Sequence, residues 1–157
     1  MNKIKSFCVD HRKLTEGVYL SRTDGDCMTY DLRFCKPNSG IVLDNITIHT
    51  IEHMIATFVR NSEYADSVVY FGPMGCQTGF YLIIRDNVPS QEVLSLIKDS
   101  LDKTIKYKGE VFGASEIECG NYRNLDLKSA QKACVEYLEK IKDLTKIKNY
   151  DEVNKEI

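Results

Sequence analysis

The chain has 157 residues, 43% of them hydrophobic and 28% charged, with a formal net charge of −2. That length suffices for one domain with a real core, and so small a net charge gives no reason to expect nucleic acid or an anionic membrane as partner. No apolar run approaches membrane-spanning length and Met1–Ser6 lacks the apolar centre of a signal peptide, so a cytoplasmic protein is expected, with its six cysteines reduced.

Residues 1–16 are polar with scattered apolar positions. Gly17–Ser21 and Met28–Phe34 read as strands around a turn at Thr23–Asp26, and Pro37 stops the second. A helix is expected from about Thr47 to Asn61, because Ile48, Ile51, Met54, Ile55 and Phe58 recur at intervals of three and four. Ser67–Phe71 reads as a buried strand and Phe80–Arg85 as its neighbour, with the glycine-punctuated loop Gly72–Gly79 between them. Ser90 is a candidate N-cap for a helix to Lys106, whose buried stripe is Val93, Leu94, Ile97, Leu101 and Ile105. Glu110–Cys119 reads as a strand weakened by Gly113, and Leu127–Lys146 as a last helix with Ala130, Ala133, Cys134, Tyr137, Ile141 and Leu144 inward. The polar tail, residues 149–157, is expected to fray. The fold class expected is α+β, a single domain in which a mostly antiparallel sheet packs against helices.

The densest chemistry lies in His49-Thr50-Ile51-Glu52-His53, which holds two of the three histidines. On a helix His49 and His53 lie roughly 40° apart on one face, with Glu52 on the same side. Two imidazoles one turn apart can share a metal, and a carboxylate beside them can take a proton. The pattern H-x-x-E-H is the reverse of a zinc-peptidase signature, so a metallopeptidase is one reading. A catalytic site needs a third ligand, and Cys76 and Cys119 both sit in glycine-flanked loops; residue chemistry alone does not choose between them. No C-x-x-C occurs, which removes zinc-ribbon and thioredoxin-type readings. His11 reads as a surface residue, a ligand or a substrate contact. Arg33 is either a clamp for a hydroxyl or carboxylate, or half of a cross-strand ion pair with an acidic neighbour.

Taken together, Ile48–His53, Pro73-Met74-Gly75-Cys76-Gln77-Thr78-Gly79-Phe80-Tyr81 and Glu118-Cys119-Gly120-Asn121-Tyr122-Arg123 resemble S-ribosylhomocysteine lyase, the LuxS family. Asp31–Asn38 and the segment Ser6-Phe7…Val9-Asp10-His11 match as well, so the resemblance covers nearly the whole chain in order. It implies one divalent metal per subunit on His49, His53 and Cys119, with Fe(II) the working ion and Zn(II) or Co(II) able to replace it. It makes Cys76 and Glu52 the two acid/base groups. It implies a homodimer with shared active sites, in which Ser6, His11 and Arg33 contact the substrate S-ribosylhomocysteine and Ala56 and Arg60 reach in from the neighbouring subunit.

The chemistry accounts for two proton carriers. Homocysteine leaves C5 of the sugar only after a carbonyl stands at C3, because only then is the C4 proton acidic. The carbonyl must therefore move from C1 to C2 to C3 through enediolates, which a Lewis acid stabilises. A Cys76 thiolate, its pKa lowered by a nearby cation, would shuttle the isomerisation protons, and Glu52 would remove the C4 proton. The products would be homocysteine and 4,5-dihydroxypentane-2,3-dione, an autoinducer precursor. One departure stands out. The family commonly has Asp-Ile-Ser before Pro-Met-Gly-Cys, with the Asp touching substrate; here Tyr70-Phe71-Gly72 stands instead. A metal-binding homologue with altered catalysis is the third reading. The tail after Tyr150 carries no matching motif.

Overall fold

The computed structural model describes residues 1–156. Its centre is a five-stranded sheet in the order β3-β4-β2-β1-β5. The meander β1 (Gly17–Asp24) and β2 (Cys27–Arg33) turns at Gly25, whose φ of 60° suits the tight Asp-Gly turn. Then β4 (Gly79–Arg85) pairs antiparallel with both β2 and β3 (Val68–Pro73), while the two-residue β5 (Lys148–Asn149) runs parallel to β1. The expected α+β class with a mostly antiparallel sheet is the observed one.

Helices α1 (Asn45–Arg60), α2 (Ser90–Lys106) and α3 (Leu127–Ile141) cover one face. Alternation along the strands sends Val18, Leu32, Phe80 and Leu82 into the core with Ile51, Ile55, Val93, Ile97 and Tyr137. The intervening residues Tyr19, Asp31 and Arg33 therefore face the other side. There a second apolar cluster joins Tyr19 to Val9 and Leu14 of the N-terminal segment, and to Tyr150 and Val153.

Four local expectations are corrected. The tail does not fray: Tyr150–Lys155 form a helix, α4, held by a reciprocal capping box between Asn149 and Glu152 and docked through buried Tyr150 and Val153. Glu110–Cys119 is not a strand. Gly113 has a φ of 67°, and the backbone is diverted to bring the Phe112 carbonyl onto His53 at 2.7 Å, with the Phe112 ring edge-on to Phe58. Ser90 is the first residue of α2 and makes no cap bond; Pro89 precedes the helix. The β3 strand is an edge rather than a buried strand, and Val69 and Tyr70 are exposed. Two boundaries also move: α3 ends at Ile141, and α1 begins at Asn45, where Asp44 accepts the Thr47 N–H at 2.8 Å.

Candidate active site

Helix α1 buries Ile48, Ile51, Met54 and Ile55, which leaves His49, Glu52 and His53 half-buried, with the two histidines bonded to the 107–126 loop. That loop is fastened to the same helix. Thr50 Oγ1 accepts the Asp126 N–H at 2.8 Å, the His49 Nδ1–H donates to the Asn124 carbonyl at 2.8 Å, and the His53 Nδ1–H donates to the Phe112 carbonyl. A carbonyl can only accept, so both rings carry their proton on Nδ1 and turn the Nε2 lone pair outward. Cys119 is carried by the same loop, its N–H bound to the Ser115 carbonyl.

One candidate ligand atom each from His49, His53 and Cys119 lies within 4.8 Å of the other two, and Cys119 Sγ stands 3.4 Å from His49 Nε2. The imidazole rings are 4.6 Å apart and nearly perpendicular. The Asn121 N–H points at Sγ from 3.4 Å and fixes the side chain's orientation. Two imidazoles oriented through their Nδ1–H bonds and one cysteine sulfur suit a divalent ion of the iron–cobalt–zinc group, and three protein donors leave a position open. The residues present therefore fit a single metal. Cys119, and not Cys76, is the cysteine beside the histidines.

Cys76 has its own surroundings. It sits exposed in the turn between β3 and β4, which is tightly strapped: Met74 N–H bonds to Gly79 O, Gln77 N–H to Met74 O and Leu43 N–H to Gln77 O, all at 2.9–3.0 Å. Gln77 takes a left-handed φ of 62°, a cost of about 1 kcal/mol for a residue with a Cβ, which these bonds offset. Buried Thr78 is the hub. Its carbonyl accepts the Phe34 and Cys35 N–H groups, its Oγ1 accepts Arg33 Nη1–H at 2.7 Å, and Oγ1 lies 3.0 Å from Cys76 Sγ. Because Oγ1 already accepts from Arg33, its own proton is free for the sulfur. Arg33 Nη1 is itself 3.8 Å from Sγ. Burial pushes the Cys76 thiol up, but the Thr78 hydroxyl and N–H and the Arg33 charge outweigh it, and the net pKa is below the ordinary 9.0.

Arg33 is 1% exposed, and its other amino group meets Asp31 Oδ2 at 2.6 Å. The ion pair expected across the ladder is instead made with Asp31, two residues away on the same strand, and the guanidinium also reaches toward Cys76. Burial works against both charges of the pair. It lifts Asp31 above its usual value against the pull of Arg33, Tyr150 and His11, while the Asp31 charge holds Arg33 protonated. His11 lies half-buried, its Nδ1 on the Val9 carbonyl at 3.1 Å, close enough for its charge to be felt at Asp31. Ser6 is half-buried in a 3-10 turn, Lys5–Phe7. Glu52 is half-buried on α1 beside the two histidines. Ala56 and Arg60 lie farther along α1, where Arg60 donates to the Val68 and Val69 carbonyls of β3.

Sequence reasoning gave no role to three residues of this site. Asp31 had a signal, since it shares a strand face with Arg33 two residues away. Thr78 had a weaker one, two residues after the cysteine. Tyr150 had none. Within Tyr70-Phe71-Gly72, the exposed Tyr70 side chain folds over Gly72, where a Cβ would lie 2.0 Å from the Tyr70 hydroxyl.

Residues 4–148 match the family model for S-ribosylhomocysteinase (LuxS). The S-ribosylhomocysteine lyase of Desulfotalea psychrophila is 43% identical over 154 residues, covering 95% of this chain and 97% of that one. The lyase of Finegoldia magna is 43% identical over 150 residues, covering 93% and 96%, and that of Clostridium acetobutylicum 46% identical over 135 residues, covering 83% and 85%.

Proposed function

Since this chain belongs to the S-ribosylhomocysteinase (LuxS) family and is a carbon–sulfur lyase, we propose that it cleaves S-ribosylhomocysteine to homocysteine and 4,5-dihydroxypentane-2,3-dione, by two carbonyl shifts and a β-elimination. The observation that carries this reading is the division of labour between two cysteines. One stands with two oriented imidazoles, and the other stands apart in a turn with its thiolate favoured.

His49, His53 and Cys119 hold the ion, Fe(II) by preference or Zn(II) or Co(II). When bound it supplies Lewis-acid stabilisation of the negative charge that develops on the sugar oxygens. Cys76, as thiolate, takes a carbon-bound proton next to the carbonyl and returns it to the adjacent carbon, once for each shift. Thr78 and Arg33 keep that thiolate ionised between transfers. Glu52 removes the C4 proton once the carbonyl stands at C3; the C4 electron pair forms the C4–C5 double bond and the C5–S bond breaks toward homocysteine. The enol left behind tautomerises to the dione, so substrate atoms equal product atoms.

Ser6, His11 and Arg33 contact substrate in this reading, and Arg33 also acts on the Cys76 thiol. Ala56 and Arg60 complete the neighbouring site of a homodimer. Exposed Ile4, Phe7, Val69 and Tyr70 suit such an interface. Six free thiols suit a reducing compartment, the cytoplasm. No helix among the described residues is long and apolar enough to cross a membrane. The metallopeptidase reading lacks its usual carboxylate ligand, since the third donor beside the histidines is Cys119.

The test is thiol release from S-ribosylhomocysteine by metal-loaded protein under reducing conditions. No release removes the lyase reading. Release abolished in Glu52→Gln, with the ion retained and a ketone intermediate accumulating, supports Glu52 as the elimination base; normal turnover by that variant refutes it. The substitution at Tyr70 favours one second reading, a homologue that binds metal without turning over this substrate, which the same assay separates by metal content.

A further inference from the structure

The family match ends at Lys148, and the residues after it carry no matching motif. Yet Tyr150 is 5% exposed, and its hydroxyl donates to Asp31 Oδ2 at 2.6 Å, across 119 residues of sequence. Oδ2 is the oxygen that also meets Arg33 Nη2, and Arg33 Nη1 goes on to Thr78 Oγ1 and Cys76 Sγ. The chain Tyr150–Asp31–Arg33–Thr78–Cys76 thus runs unbroken from α4 to the thiol. Asp31 Oδ1 and Arg33 Nε are buried with no partner among the described residues, so the carboxylate has two donors, both on one oxygen. Burial and the Asp31 charge keep the Tyr150 phenol protonated far above neutral pH, so it remains a donor.

The rest of α4 serves the same end. The Asn149–Glu152 capping box sets the helix start, and Asn154 bridges the Cys8 carbonyl and the Asp10 N–H. Val153 packs with Val9 and Leu14.

We propose that Tyr150 is a positioning residue for the proton-carrying Cys76: its hydroxyl holds the Asp31 carboxylate, and through it aims the Arg33 guanidinium at the Thr78–Cys76 pair. A hydrogen bond to the carboxylate withdraws part of its negative charge, so more of the Arg33 charge is left to act at the sulfur. The ionisable and charged groups facing this cluster are Asp31 and Arg33 from β2, Tyr81 from β4, Tyr150 from α4, His11 from the N-terminal segment and Tyr19 from β1, while Tyr137 of α3 and Cys35, in the core on the helix side, feel the same charges through the sheet. Only Tyr150 is removed in the test. The importance of Cys76 rests on the lyase reading; the placement of its thiol does not.

The experiment is iodoacetamide alkylation of Cys76 in the metal-loaded protein across pH, read by peptide mass spectrometry, in wild type, Tyr150→Phe and Val153→Ala. The phenylalanine keeps the ring and removes the hydroxyl. The Tyr150→Phe midpoint should rise by about half to one pH unit, and kcat at pH 7 should fall about three- to tenfold with KM within about twofold. Val153→Ala loosens the same helix without touching the hydrogen bond, so its Tm should fall while its midpoint stays at the wild-type value. An unmoved or lowered midpoint in Tyr150→Phe, the same rise in Val153→Ala, or loss of the folded circular dichroism spectrum in Tyr150→Phe would each overturn the proposal. Failure of the lyase reading is distinguishable, because wild type would then release no thiol while the alkylation midpoints still differ.

Discussion

Cys119 and Cys76 differ less in exposure than in what stands beside them. One faces imidazole nitrogens, the other a hydroxyl and a guanidinium. Cys119→Ala should therefore lose the ion on dialysis, whereas Cys76→Ala should keep it at wild-type stoichiometry; metal analysis decides, and the reverse result would exchange the two roles. The pH dependence follows from the lowered Cys76 pKa. Thiolate is present above the folded-state pKa and lost as pH falls through it, so alkylation and turnover should both decline on acidification, with an alkylation midpoint below 9.0. A midpoint at or above that value would mean that burial, which acts the other way, prevails.

At the scale of elements, the site hangs on places where two backbones come close. A Cβ on Gly79 would meet the Leu32 carbonyl at 2.2 Å, across the β2–β4 ladder that carries Arg33. A Cβ on Gly72 would meet the outer end of the Tyr70 ring instead, which is exposed and can swing away. Gly79→Ala should therefore cost about 1–3 kcal/mol in urea unfolding and slow turnover, whereas Gly72→Ala should stay within about 0.5 kcal/mol of wild type. Equal losses would show that Tyr70 is not free to move. The 107–126 loop makes the complementary point. The apolar residues that suggested a strand at 110–119 are used to seat Phe112 on Phe58 and Tyr107, and its carbonyl orients His53. Tertiary contacts overrode a local preference beside the candidate metal ligand His53.

For the whole molecule, the proposal of shared sites predicts complementation. If Cys76 of one protomer works with Arg60 of its partner, a heterodimer of Cys76→Ala and Arg60→Ala chains has one doubly altered site and one intact site. Refolding the two inactive variants together in equal amounts should restore about a quarter of wild-type activity, and sedimentation should give twice the mass of the chain. Restoration of nothing, with each variant properly folded, would place both residues in the same protomer's site or outside it.

Much of this architecture is local and therefore legible along the chain. The three- and four-residue spacing in α1, the Asp-Gly turn between β1 and β2 and the adjacent strands flanking the Cys76 loop are each written in a few neighbouring residues. So is the facing of His49 and His53, since helical geometry alone puts them on one side. The resemblance then named Cys119 as the third ligand, which spacing could not, because Cys119 is brought to His49 from 70 residues away. The long-range bonds were out of reach of any local signal. Arg33 became a partner of Thr78 and Cys76 because antiparallel pairing sets it opposite Gly79, and the expected frayed tail became a docked helix because burying Tyr150 and Val153 outweighs the polarity of its other residues. Patterns of three to seven residues specify elements; the contacts that set a thiol's charge are made between elements and are settled when those elements pack.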